Sequence, residues 1–211
     1  YHLAYEIVNL PGNVTMSSRD GTVVLLEDLI NEAANRALEI VKIKNPDLTL
    51  DQQQQIAEAV AVGAIKYSML SRDNTKIVTF DWESALDFNG QAAPYIQYAF
   101  VRANSILRKV EGGAPETGQP MENLTEPEIQ LIDLISRFPN EVQRAASEIR
   151  PLYMSNYAYE LARGFNDFYN QCPVLSAEEP LRSQRLRLTA AARQAIHNSL
   201  DLLGIITPSV M

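Results

Sequence analysis

The sequence predicts a mainly α-helical protein built as a helical bundle. Apolar residues recur at the three- and four-residue spacing of amphipathic helices from residue 26 onward. Segments with the two-residue alternation of strands are few and short, and prolines and glycines cluster between the helical segments. We therefore expect the region after Asn45 to be almost wholly helical.

The N-terminal part combines an extended segment, a polar loop and a helix. Residues 3–10 predict a short strand that ends at a Pro-Gly turn. The next stretch, GNVTMSSRDG, brings hydroxyl groups, a cation and a glycine together, which suits either an anion or simple exposure to water. The apolar spacing over residues 26–41 predicts a helix that ends near Asn45, because the following proline disfavours helical geometry there.

The remaining elements are predicted from helix-capping residues and from the positions of prolines and glycines. A second helix begins between residues 49 and 51, KIVTFDWE favours a strand with Asp81 as a cap behind it, and a third helix covers residues 91–110. We expect residues 111–127, which are rich in Gly, Pro and Glu, to form a flexible loop. Thr125 and Glu128 then make a capping box, and the later helices are separated by prolines until the last one stops at Gly204.

The charge distribution is uneven. A net charge of −8 argues against a polyanion as partner, because phosphate binding uses Lys and Arg. Yet residues 91–110 carry Arg102, Arg108 and Lys109 without an acid, and residues 181–211 carry four arginines against one acid. An acidic protein can thus present a basic face, although two solvated helix faces would explain the same pattern.

Several functional classes lack support in the sequence. The single cysteine, Cys172, excludes an internal disulfide and indicates a reducing compartment, which is cytoplasmic by default. No apolar run approaches the roughly 20 residues that cross a bilayer. His2 and His197 lie outside any motif, and we find no P-loop, dinucleotide fingerprint or metal-ligand spacing. We therefore predict no metal site and no complete catalytic site in this chain.

Aromatic residues beside cations are more informative. Tyr95 and Tyr98 lie on the acid-free third helix near Arg102, and Tyr169 lies on the next-to-last helix. Tyrosines next to arginines can stack on unpaired RNA bases while the cations hold phosphates. Aromatic residues at helical spacing also fill cores, and we expect this for the phenylalanines, Phe165 among them.

Four segments of the sequence are distinctive: YHLAYEIVNLPGNVTMSSRDGTVVLLEDLINEA, DFNGQAAPYIQYAFVRANSILRK, YELARGFNDFYNQCPVL and LTAAARQAIHNSLDLLGIITPSVM. Together they resemble the C-terminal part of arginyl-tRNA synthetases, a family of class I aminoacyl-tRNA synthetases. The likeness spans essentially the whole chain in the family's order and includes a terminal methionine after LGI and a proline.

The resemblance implies the last segment of a Rossmann-type catalytic domain over residues 1–45 and an α-helical anticodon-binding domain over residues 46–211. The full enzyme would ligate L-arginine to its tRNA through an arginyl-adenylate, with ATP and magnesium. The implied partners are an arginine-accepting tRNA, arginine and ATP. We expect a monomer without a membrane partner, and no cofactor bound to this part alone.

The resemblance also assigns the polar loop. Met16, Ser17, Ser18 and Arg19 fall on the family's lysine-methionine-serine-lysine type element, whose cations stabilise ATP phosphates as pyrophosphate leaves. Thr15 stands at the first lysine position and Ser18 at the second, so Arg19 is the one cation of this element. The histidine-isoleucine-glycine-histidine type element has no match, and most of the catalytic domain would precede Tyr1.

For RNA, the resemblance implies a surface made by the third helix, the next-to-last helix and the C-terminus. Its implied contact residues are Tyr95, Gln97, Tyr98, Tyr169 and Met211. The phosphate candidates, on charge alone, are Arg102, Arg108, Arg182 and Arg185. The open alternative is a helical protein-interaction module, with the tyrosines in its core and the basic helices against an acidic partner.

The missing signature leads to a first prediction. We expect the purified 211-residue chain not to charge tRNA, because the residues that would bind arginine and form the adenylate lie outside it. The measurement is arginine-dependent formation of aminoacyl-tRNA, with an intact arginyl-tRNA synthetase as positive control. Charging by this chain alone would contradict the prediction.

Overall fold

The computed structural model of the protein describes residues 2–10, 14–15, 24–110, 114–115 and 120–211. These residues form three short strands and eight helices, which confirms the mainly helical fold class. The strands are β1 (Val8–Leu10), β2 (Val14–Thr15) and β3 (Val78–Thr79). The helices are α1 (Leu26–Lys44), α2 (Leu50–Leu70), α3 (Trp82–Ala85), α4 (Ala93–Arg108), α5 (Glu126–Ser136), α6 (Phe138–Glu148), α7 (Pro151–Gln171) and α8 (Leu181–Leu202).

The three strands form one small sheet in the order β2-β1-β3. β1 pairs with β2 in antiparallel orientation and with β3 in parallel orientation. The segment before β1 is also attached to the connection after α2, because the Glu6 amide donates to the Asn74 carbonyl at 2.9 Å. The sheet thus attaches the N-terminal segment to the connection between α2 and α3.

Helix starts lie where the sequence predicts caps. The Gln52 amide donates to Thr49 Oγ1 at 3.3 Å, and the Thr49 amide donates to Gln52 Oε1 at 3.0 Å, at the start of α2. Asp81 Oδ2 accepts from the Ser84 amide at 2.8 Å and so caps α3. These contacts satisfy amide groups that have no partner inside the helix.

Two hydrophobic cores lie along the chain. The first is formed mainly by α4, α5, α7 and α8, and its phenylalanines, Phe165 and Phe168, are fully buried as predicted. The second is formed by α1, α2 and the β3–α3 segment. Tyr67 of α2 belongs to the first core and donates its hydroxyl to the Ser155 carbonyl at 3.1 Å. Met211 packs against both cores.

A buried ion pair joins α5 to α8. Arg185 Nε donates to Glu128 Oε1 at 2.8 Å, and the two side chains are 8% and 1% exposed. Burial by itself raises the pKa of Glu128, but hydrogen bonds from Thr125 and Arg185 outweigh it, so this pKa lies below its ordinary value. Our phosphate assignment for Arg185 is therefore wrong, since its guanidinium faces the protein interior.

Removing Arg185 leaves a buried carboxylate without its cation. We expect Arg185→Leu to lower the free energy of unfolding by about 3 to 5 kcal/mol, as measured by urea denaturation at pH 7. The control is Lys42→Ala, which breaks the exposed 2.9 Å pair with Glu39 and is expected to have no measurable effect. Equal effects of the two variants would refute this view of the pair.

The lowered pKa of Glu128 also predicts a pH dependence. Because the folded-state pKa lies below the unfolded value, its stabilisation is complete above the unfolded pKa and is lost as the pH falls through the folded pKa. The difference in unfolding free energy between the wild type and Glu128→Gln should therefore be largest near neutral pH. Urea unfolding at about pH 7 and pH 3 measures it, and a constant difference contradicts the prediction.

Candidate nucleic-acid interface

An open groove of about 650 Å³ lies between the C-terminal halves of α4 and α7, beside the segment that follows α7. α4 contributes Tyr98 and Arg102, Lys109 follows directly after the last residue of α4, and α7 contributes Tyr169. The C-terminal residue, Met211, lies on the same wall. The groove thus brings together four of the residues that the sequence assigns to RNA: Tyr98, Arg102, Tyr169 and Met211.

Arg102 is held between two tyrosine rings. Its guanidinium carbon lies 4.8 Å from the Tyr98 ring centroid and 4.6 Å from that of Tyr169. Arg102 Nη1 also donates to Asn166 Oδ1 at 2.5 Å. Tyr98 precedes Arg102 by one helical turn, so the two side chains share a face of α4. Cation–π attraction and the amide contact fix the guanidinium at the groove.

The rings remain accessible from the groove. Tyr169 is 41% exposed, and Tyr98 is half-buried. An aromatic face beside a fixed cation matches what an unpaired base and its phosphate require. Lys109 adds a second positive charge two turns beyond Arg102, on the same wall of the groove. The arrangement can therefore accept an extended anionic ligand that carries flat rings.

Gln97 has a different position from the one we predicted. Its side chain is 0% exposed, and its Nε2 donates to the Ala59 carbonyl at 3.2 Å and to the Ile206 carbonyl at 2.7 Å. A side chain with this burial has no surface to offer RNA. We therefore correct its assignment from RNA contact to internal support.

Tyr95 also lies away from this wall. Its ring packs on the first core and lies 5.4 Å from the Tyr159 ring, centroid to centroid. The described lining of the groove does not include it. The structure thus separates Tyr95 from Tyr98, and an RNA contact by Tyr95 stays a prediction.

The other cations are dispersed. Arg108 is exposed at the end of α4, and Arg182 is half-buried at the start of α8. Neither belongs to the described groove lining. Their phosphate contacts stay predictions.

Two groove features were missed by the sequence reasoning. Asn166 positions Arg102, and Lys109 lines the groove although only its charge was noted. Lys109 could have been found from its spacing of seven residues after Arg102, which returns to the same helix face. Asn166 carries no such signal, because its partner lies on another helix.

The predicted ATP loop, residues 16–19, lies outside the described residues. Within the described ranges, no group of His, Cys, Asp and Glu side chains could hold a metal ion. No helix in the described part of the chain is long and apolar enough to cross a membrane.

Comparison with known families divides the chain into two regions. Residues 1–82 match the family of tRNA synthetases class I (R), catalytic domain, and residues 96–211 match the DALR anticodon binding domain. The helical fold and these two matches define the class as a class I aminoacyl-tRNA synthetase. The domain boundary that we predict near residue 45 stays a prediction.

Similar proteins specify the family. The arginine–tRNA ligase of Pyrococcus abyssi is 44% identical over 218 residues, which cover 100% of this chain and 34% of that protein. The ligase of Archaeoglobus fulgidus is 43% identical over 95% of this chain and 36% of its own length. The chain belongs to the arginyl-tRNA synthetase family, and it spans about a third of the length of these curated relatives.

Solved structures agree with this assignment. The Thermus thermophilus arginyl-tRNA synthetase superimposes with a TM-score of 0.89 at 39% identity, over 100% of this chain and 35% of that one. The Plasmodium falciparum arginyl-tRNA synthetase gives a TM-score of 0.72 at 23% identity, over 90% of this chain and 34% of that one. The second comparison shows a shared fold.

Proposed function

We propose that this chain binds the anticodon arm of an arginine-accepting tRNA, as part of an enzyme that ligates L-arginine to that tRNA. The observation that carries the proposal is the guanidinium of Arg102, held between Tyr98 and Tyr169 in an open groove of the region that matches an anticodon-binding family. Family membership supports the ligation reaction, and the groove supports the RNA contact.

The groove residues divide the work of binding an unpaired RNA segment. The rings of Tyr98 and Tyr169 offer faces on which unpaired bases stack. Arg102 and Lys109 attract the phosphates, and Met211 offers a flexible apolar contact beside them. Tyr95 lies outside the described groove lining, and we propose that it contacts the RNA next to the groove.

The full enzyme would activate arginine with ATP and magnesium, and we propose that residues 16–19 meet the ATP phosphates there. Arg19 supplies the cation of this loop, while Ser17 and Ser18 supply hydroxyl groups. We further propose residues 1–45 and 46–211 as the two domains, a monomeric state and a cytoplasmic location. The match of residues 1–82 to a synthetase catalytic domain supports the ATP contact, and the single cysteine supports the cytoplasmic location.

A pair of tyrosine variants, one in the groove on α4 and one away from it on α7, tests the groove. We expect Tyr98→Ala to weaken binding of an arginine tRNA anticodon stem-loop by about 1 to 3 kcal/mol, because a stacked base loses its platform. Fluorescence anisotropy with labelled RNA measures the affinity.

A tyrosine on α7 serves as the matched control. Tyr153 lies 16 residues before Tyr169 on this helix, about 24 Å along its axis. Tyr153→Ala should therefore leave RNA affinity unchanged. An unchanged affinity in Tyr98→Ala would assign Tyr98 to packing alone.

Salt and RNA sequence distinguish the proposal from a protein-interaction module. Binding through phosphates weakens as salt rises, with a slope of roughly 0.7 per phosphate contact on single strands. The affinity should also depend on the anticodon loop sequence. An absence of RNA binding in the wild-type chain, at low salt and with an intact fold, would reject the proposal.

A further inference from the structure

The last eight residues of the given sequence run back across three helices, and side chains of these helices hydrogen-bond to them. We call residues 204–211 the tail. Lys66 of α2 donates to the Gly204 carbonyl, and Asn104 of α4 donates to the Ser209 carbonyl at 3.3 Å. His197 Nδ1 of α8 lies 2.9 Å from Thr207 Oγ1. The tail is thus attached at several points before it reaches Met211.

Gln97 makes the innermost of these contacts. Its fully buried Nε2 bonds to two backbone carbonyls, Ala59 on α2 and Ile206 in the tail. Both partners are acceptors, so the nitrogen must face them, and Oε1 has no partner among the described residues. One amide group therefore joins α2, α4 and the tail.

The sequence of α2 leaves room for this amide. A Cβ atom at Gly63 would lie 3.0 Å from Gln97 Nε2 and 3.1 Å from Ile205 Cγ2. Both distances are tighter than ordinary van der Waals contact, so any larger residue would press on the amide and on the tail together. Gly63 is the position where α2 permits their close approach.

The two faces of α4 therefore serve two different neighbours. Gln97 and Asn104 are seven residues apart, which is two helical turns, and both bond to the tail. Tyr98 and Arg102 lie on the adjacent face and line the groove. Arg193 Nη1 donates to Asn104 Oδ1 at 3.3 Å and orients that amide from α8. The tail and the groove are thus built on one rigid helix.

We propose that Gln97 is a positioning residue that acts through the tail: it places Met211 in the groove for RNA, without touching RNA itself. This inference rests on the proposed function for its RNA part. Its structural part, the placement of Met211 on the groove wall, is argued from the hydrogen bonds of the tail and does not depend on RNA. The role replaces the direct contact that the sequence suggested for Gln97.

A double-mutant cycle with RNA tests the first part. The variants are Gln97→Leu, which replaces the amide by an apolar side chain of similar size without a donor, Met211→Ala, and the two combined. Each single variant should weaken anticodon stem-loop binding by about fivefold to tenfold. Because both act through Met211, the combined variant should lose no more than about twofold beyond the weaker-binding single variant. Multiplying losses would overturn the proposal.

Methyl NMR of methionine tests the second part without RNA. The chain has five methionines, and the Met211 signal is assigned from Met211→Ala. In Gln97→Leu the Met211 methyl shift should move toward the value of an unfolded chain, because Met211 leaves its packed position on the groove wall. The control is Gln194→Leu, the same substitution at an exposed position of α8, which should not move it. An unchanged Met211 shift in Gln97→Leu would refute the positioning role.

The two readouts keep the two proposals apart. If the wild type fails to bind RNA, the proposed function is wrong, while the methyl shift still decides whether Gln97 places Met211. If Gln97→Leu does not fold, Asn104→Ala takes its place, since Asn104 is only half-buried and bonds to Ser209. The same non-additivity and the same shift of the Met211 signal are expected for it.

Discussion

Close packing of α4 against α7 and α8 is the constraint on which the groove depends. Ala99 and Ala103 on α4 are fully buried, and so are Ala158 and Ala162 on α7 and Ala192 on α8. Small side chains let helices approach closely, and a core of this density leaves little space for rotation. Because Tyr98 and Arg102 are one turn apart on α4, the rotation of that helix orients both at once.

Burial also decides how much positive charge the groove can use. The segments 91–110 and 181–211 are both basic. Arg185, however, forms a buried ion pair with Glu128, so its charge is not available to the groove. Arg102 and Lys109 are the cations on the described groove wall. In a chain of net charge −8, two cations give limited long-range attraction. Stacking on the tyrosines must therefore carry a large share of any affinity for RNA.

The helices, most of their ends and the strands β1 and β3 could be predicted because they follow from local patterns. Strand β2 was not predicted, because it lies in the stretch that we expected to be a polar loop. The Thr49 cap, Asp81 and the proline-separated helices each depend on residues within one turn. The roles of Gln97 and Arg185 could not be predicted in this way. Gln97 is buried by a tail 109 residues further along the chain, and Arg185 pairs with an acid 57 residues before it.

The groove could be predicted in part from the sequence. The acid-free composition of α4 and its tyrosine and arginine spacing indicated a binding face, and the structure gathers Tyr98, Arg102, Tyr169 and Met211 there. Spacing alone was insufficient to assign Tyr95 to the groove. Tyr95 precedes Tyr98 by three residues, which is slightly less than one helical turn, and its ring points toward Tyr159. A difference of that size separates a core position from a groove position.

The tail connects the two regions that the family matches divide. Its anchors come from α2, within residues 1–82, and from α4 and α8, within residues 96–211. Met211 then packs against both hydrophobic cores. A ligand that requires Met211 in this place must favour the state in which the tail is packed against both cores. By thermodynamic linkage, packing of the tail must raise the affinity for that ligand by the same factor. Under the proposed function, RNA binding in the groove and the packing of α2 on the helical bundle therefore stabilise each other.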